Sequence, residues 1–142
     1  MGLHIHDLEN AALLGNSIHA TISTDTSTVG TAVDCLLSDG PIHAIISTGN
    51  CGDASTSFYV KLTECATSGG SYTDISGALS ATYTGATLGD NLALAVSTPY
   101  RSLRYVKAVV VTSGGGTPSV PIAVTILGRK KISGTGTGYV SV

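Results

Sequence analysis

The chain has 142 residues, with 7 Lys and Arg against 9 Asp and Glu and a formal charge of -2, so it offers no electrostatic footprint for a nucleic acid. Charged residues make up only 11%, less than half of the roughly 25% usual in soluble domains, while 42% hydrophobic residues exclude a disordered chain. With 18 Gly and abundant Ser and Thr, the surface is hydroxyl and backbone, which suits a protein packed into an assembly better than a free cytoplasmic enzyme.

In chain order, residues 1–16 are expected to form an N-terminal arm. They hold His4 and His6 and a short helical pattern over 8–14 that ends at Gly15, too short to be stable alone. The arm has no basic n-region and carries Asp7 and Glu9 where a secretory signal would be apolar, so the chain is expected to be made and kept without export. No run approaches 18 apolar residues, and no membrane span is expected.

Residues 17–142 are expected to form one β-sandwich domain. Short β-branched runs broken by Gly, Asp, Asn, Ser and Pro predict strands over 17–23, 31–37, 42–48, 57–65, 78–84, 91–97, 103–112, 120–127 and 138–142. Within 57–65, Phe58, Val60 and Leu62 alternate with Tyr59, Lys61 and Thr63, so one face is buried and one is not. Turns are predicted at Ser38-Asp39-Gly40-Pro41, at residues 49–53, at 68–71 and at 113–118. Seven to nine strands at this spacing predict an all-β, antiparallel two-sheet sandwich.

Motifs that suggest chemistry have plainer explanations. His4 and His6, with His19 or His43, could in principle hold a metal, but strand alternation produces such a pair by default and no third ligand stands at a recognisable spacing. The Gly134-Thr135-Gly136-Thr137-Gly138 run lacks the following helix that a phosphate loop requires. There is no G-x-S-x-G elbow and no Cys beside a plausible base, and Asp7, Glu9, Asp39 and Asp53 fall in the arm or in turns. No catalytic residue, metal site or cofactor is expected. Cys35, Cys51 and Cys65 form an odd set without C-x-x-C spacing and are expected to be free thiols. Arg129-Lys130-Lys131 follows an apolar strand and could meet an acidic partner surface. In Arg101-Ser102-Leu103-Arg104-Tyr105-Val106-Lys107, alternation is expected to place Tyr105 in the core and Arg104 outside.

Three segments carry a family resemblance. Tyr72-Thr73-Asp74-Ile75-Ser76-Gly77-Ala78, then Leu103-Arg104-Tyr105-Val106-Lys107, then the apolar strand Val120 to Leu127 closed by Gly128 resemble the C-terminal half of small tailed-phage structural proteins. Thr31-Ala32-Val33-Asp34-Cys35-Leu36 and Ile42-His43-Ala44-Ile45 resemble the opening strands of the same family. The resemblance covers residues 30–128 in outline. It implies a capsid decoration, or cement, protein: a jelly-roll-like sandwich that assembles as homotrimers on the capsid exterior. Its partner would be the major capsid protein, with no catalytic residue to carry over. The arm lies outside the matched region.

The expected role is therefore a non-enzymatic virion protein that clamps neighbouring capsid subunits by multivalent burial. Leu3, Ile5 and Leu8 are candidate anchors that either cross to a neighbour or cover the sandwich's own edge. Arg101, Arg104, Lys107, Arg129 and Lys130 are candidate polar contacts. A second expectation is a tail-associated carbohydrate- or receptor-binding module that stacks sugars on Tyr72, Tyr83 and Tyr100.

Overall fold

The computed structural model describes residues 11–85, 93–98, 101–114 and 117–130, which are all-β: no helix occurs among them. In chain order the strands are β1 (Ala11–Ile22), β2 (Ser27–Val29), β3 (Val33–Asp34), β4 (Ser38–Thr48), β5 (Ser57–Cys65), β6 (Thr73–Leu79), β7 (Tyr83–Thr84), β8 (Ala93–Thr98), β9 (Tyr105–Ser113) and β10 (Val120–Lys130). One sheet has the order β1-β10-β4-β8; the other runs β2-β9-β5-β6, with β3 also on β9 and β7 also on β5. Every pairing is antiparallel.

Strict period-2 alternation builds the layers. Along β10, Val120, Ile122, Val124 and Ile126 are buried while Pro121, Ala123, Thr125 and Leu127 are only partly so. On β4, Ile42, Ala44 and Ile46 are buried and Ile45 and Ser47 are exposed. These inner faces meet Phe58, Val60 and Leu62 of β5 and Val106, Ala108 and Val110 of β9 in a single apolar cluster. Ser17 joins the layers: its Oγ donates to Thr31 O (2.9 Å) and accepts the amide of Ala108 (2.9 Å). Gly30 passes beside it, donating its amide to Ala108 O at 2.9 Å. A Cβ at Gly30 would collide with Ser17 Oγ and lie 2.7 Å from Ile18 Cγ1.

Several sequence expectations change. Residues 11–14, expected to end a helix, are strand, and residues 11–16, assigned to the arm, belong to the sheet through pairs such as Leu13 with Leu127 and Asn16 with Thr125. Hydrogen bonding to the regular β10 outweighs the weak helical tendency of a short apolar run. Residues 1–10 and the expected strand 138–142 lie outside the described residues. Ser38 to Pro41, expected to turn, form the start of β4: Lys130 pairs with Ser38 and Gly128 with Ile42, so β4 bulges here. Gly40 takes φ +76° in that bulge, a conformation in which glycine avoids the Cβ penalty. The turn falls instead on residues 35–38. Tyr105 is not in the core: Val106 takes the inner position, and Tyr105 sits on the outer face opposite Cys65. The three cysteines are free.

Candidate protein-binding end of the sandwich

Antiparallel register brings the candidate contacts together. Tyr105 at the start of β9 pairs with Cys65 at the end of β5 and with Asp34 of β3. Lys130, near the end of β10, pairs with Ser38 at the start of β4, and Arg129 pairs with Ala11. Arg101, Arg104, Lys107, Arg129 and Lys130 therefore share one end of the sandwich. The sixth described cation, Lys61, lies mid-strand and is ion-paired to Asp74 at 2.8 Å. The opposite end, with the loops after β1 and β4, carries Asp25 and Asp53 and no Lys or Arg among the described residues. Leu3, Ile5 and Leu8 lie outside the described residues.

Arg101 does not project to solvent as a free contact. Its two terminal nitrogens bond backbone carbonyls, Nη1 donating to Leu103 O (3.0 Å) and Nη2 to Cys35 O (2.6 Å) and Ser38 O (2.5 Å), while Nε is buried without a partner. Beside it the Glu64 carboxylate accepts from Ser102 N (2.8 Å), Ser102 Oγ (2.7 Å) and Leu103 N (2.9 Å). Burial alone would raise the Glu64 pKa, but those donors and the nearby Arg101 charge outweigh it and hold the carboxyl below its ordinary value. Arg104 grips Asp34 in a fork, Nε to Oδ1 at 2.8 Å and Nη2 to Oδ2 at 2.5 Å, and lies 5.0 Å over the Tyr105 ring. That hydrogen-bonded pairing is the main reason the Asp34 carboxyl is held below its usual range.

Between these two arginines stands a tight turn. Ser38 N donates to Cys35 O at 3.1 Å, so Leu36 and Leu37 occupy the two central positions of a four-residue β-turn. Asp34 Oδ1 accepts the Leu36 amide at 2.9 Å, and Cys35 N donates to Arg104 O at 3.0 Å. The two leucines are 52% and 62% exposed, where turns ordinarily place Gly, Asn, Asp or Ser. The strand expected over 31–37 includes this pair, which the structure places in the turn after β3 instead. The available signal was the adjacency itself, since neighbouring residues in a strand face opposite sides and both could not reach the core.

Lys107 lies with its Nζ 4.1 Å over the Tyr72 ring, so two of the segments that carry the family resemblance touch here. Tyr83 packs against Phe58, ring centroids 5.8 Å apart, at the other end of β5, and Tyr100 is outside the described residues; Tyr72 and Tyr83 thus do not form one sugar-stacking platform. No group of three His, Cys, Asp or Glu side chains is placed to hold a metal among the described residues. His19 and His43 face outward opposite Ala123 and Leu127, at least about 13 Å apart by strand rise. A shallow depression between His19, Thr21, Ser47, Gly49 and Pro121 has no Asp, Glu, Cys, Lys or Arg in its lining. Compared with known proteins, the chain matches no family model and no curated sequence.

Proposed function

We propose that this chain is a non-enzymatic structural virion protein that binds the outer surface of a phage capsid and ties neighbouring major capsid protein subunits together. The observation that carries the proposal is that five of the six described Lys and Arg residues lie at one end of the sandwich, against Asp34, Asp39 and Glu64 and beside the braced Leu36–Leu37 turn, whereas the other end carries Asp25 and Asp53 and no Lys or Arg among the described residues. An end of that kind steers the molecule onto an acidic surface in one orientation, and apolar anchors then supply the burial. The resemblance to decoration proteins gives the partner and the setting: assembly in the host cytoplasm, attachment to the capsid exterior, and association as homotrimers. Many weak contacts arranged on capsid symmetry add through effective concentration. The arm residues Leu3, Ile5 and Leu8 serve as further anchors in this account.

The test is co-sedimentation of the purified chain with shells of the encoding phage that lack it. Saturable binding is expected, weakening as salt rises because the basic end is screened. Removal of residues 1–10 is expected to weaken binding while the β fold persists. Absence of any co-sedimentation at low salt contradicts the proposal.

A further inference from the structure

We propose that the Leu36–Leu37 turn is a preformed prong that seats in an apolar pocket, rimmed by acidic side chains, on the partner protein. This rests on the capsid-binding role above and names the contact that supplies its affinity. Leu36 and Leu37 are the large exposed apolar residues adjacent in sequence among those described, and both sit at the tip of a two-residue turn. Such a tip is normally free to move. This one is braced at four backbone atoms: Arg101 bonds the carbonyls of Cys35 and Ser38, Ser38 N closes the turn onto Cys35 O, and Asp34, clamped by Arg104, holds the Leu36 amide.

That bracing is costly to build for a solvent loop and well suited to binding, because little conformational entropy is left to lose when the leucines are buried. A few well-packed anchors carry most of the energy of an interface, and here preorganisation, not residue type, suits the leucines to that part. The charges define the pocket. This end of the sandwich carries Arg101, Arg104, Lys107, Arg129 and Lys130 against Asp34, Asp39 and Glu64, with Asp34 paired to Arg104 and Glu64 bonded by the Ser102 and Leu103 donors. The surplus is positive, so the complementary rim is acidic. A lipid surface fits less well: two leucine side chains offer fewer carbons for burial than a single myristoyl chain, which by itself holds a protein to a membrane only marginally.

The experiment measures binding of Leu36→Ser/Leu37→Ser to the same phage shells, beside wild type and Val29→Ser, an exposed apolar residue on the outer face of the six-stranded sheet. Neutral phosphatidylcholine vesicles are run in parallel. Because both leucines are exposed, the double variant is expected to keep its melting midpoint and β-sheet circular dichroism. Shell binding should fall about 30-fold or more, with Val29→Ser unchanged and no vesicle binding by any form. Undiminished binding by the double variant overturns the prong and leaves the capsid role standing. Binding of wild type to vesicles but not to shells overturns the protein pocket as occupant, and failure to bind shells at all overturns the capsid role and the prong with it.

Discussion

Glu64 and Arg101 show how single side chains shape the proposed binding end. The Glu64 carboxyl is held low by three donors and by Arg101. A group whose folded pKa lies below its unfolded value stabilises the fold at pH above the unfolded value, ordinarily about 4.3 for Glu, and that contribution disappears as pH falls through the folded one. Wild type should therefore be steady from pH 8 to 5 and weaken below about pH 4. Glu64→Gln should lose about 1–2 kcal/mol at neutral pH and show a shallower acid limb; an unchanged limb in urea titrations across pH would remove Glu64 from the account. Ser38 points the other way. Its Oγ is buried without a hydrogen-bond partner, so Ser38→Ala should be neutral or stabilising by up to about 1 kcal/mol.

The cysteines also test the structure at this scale. Cys35 is fully buried, and burial pushes its thiol up to about 11, while Cys51 is only partly buried, with its thiol also raised by burial. At pH 8 a thiol reagent should modify Cys51 well before Cys35, which should react only when the sandwich opens. Labelling of Cys35 at the rate of an unfolded chain would mean that the turn it anchors is not closed. These residue-scale features were not legible in the sequence, because they depend on chain segments that meet only in the fold. Glu64 lies 38 residues from Ser102 and Arg101 lies 66 from Cys35.

At the level of elements, β5 was fully legible and β10 nearly so, because Phe58-Val60-Leu62 and Val120-Ile122-Val124-Ile126 alternate without interruption and flank the core on central strands. Legibility failed where a local signal served another purpose. Ser38-Asp39-Gly40-Pro41 has the composition of a turn, yet Gly40 and Pro41 sit in a bulge of β4, a site that tolerates both residues. Alternation against Arg104 puts Tyr105 inside, but the buried position falls on Val106, and register with Cys65 sets Tyr105 on the outer face. The joining of the two sheets through Ser17 gives the element-scale prediction. Ser17→Ala leaves the buried Ala108 amide and the Thr31 carbonyl without this partner, costing about 2 kcal/mol and lowering the melting temperature by about 5–8 °C. Gly30→Ala, whose new methyl group would press on Ser17 and Ile18, should be at least as damaging. A melting curve unmoved in both variants would contradict the joint.

For the whole molecule, fold class followed from composition and turn spacing, whereas the polarity of the sandwich did not. A net charge of -2 conceals an end carrying five cations and an opposite end without any among the described residues. Of the expected contacts, Arg104, Lys107, Arg129 and Lys130 do gather at that end, and Arg101 gathers there in a different capacity, holding the turn instead of meeting solvent. If the molecule assembles as the proposed trimer, light scattering should give about 43 kDa, three copies of the 14.2 kDa chain; a mass of one chain would remove self-association from the proposal.

The most direct test of the central claim, that this end is the binding surface, is amide hydrogen exchange of the free protein against the same protein on phage shells. Protection is expected to rise at residues 35–38 and 101–107 on binding and to stay unchanged at 49–56, at the opposite end. New protection confined to 49–56, with 35–38 exchanging as in the free protein, would contradict it.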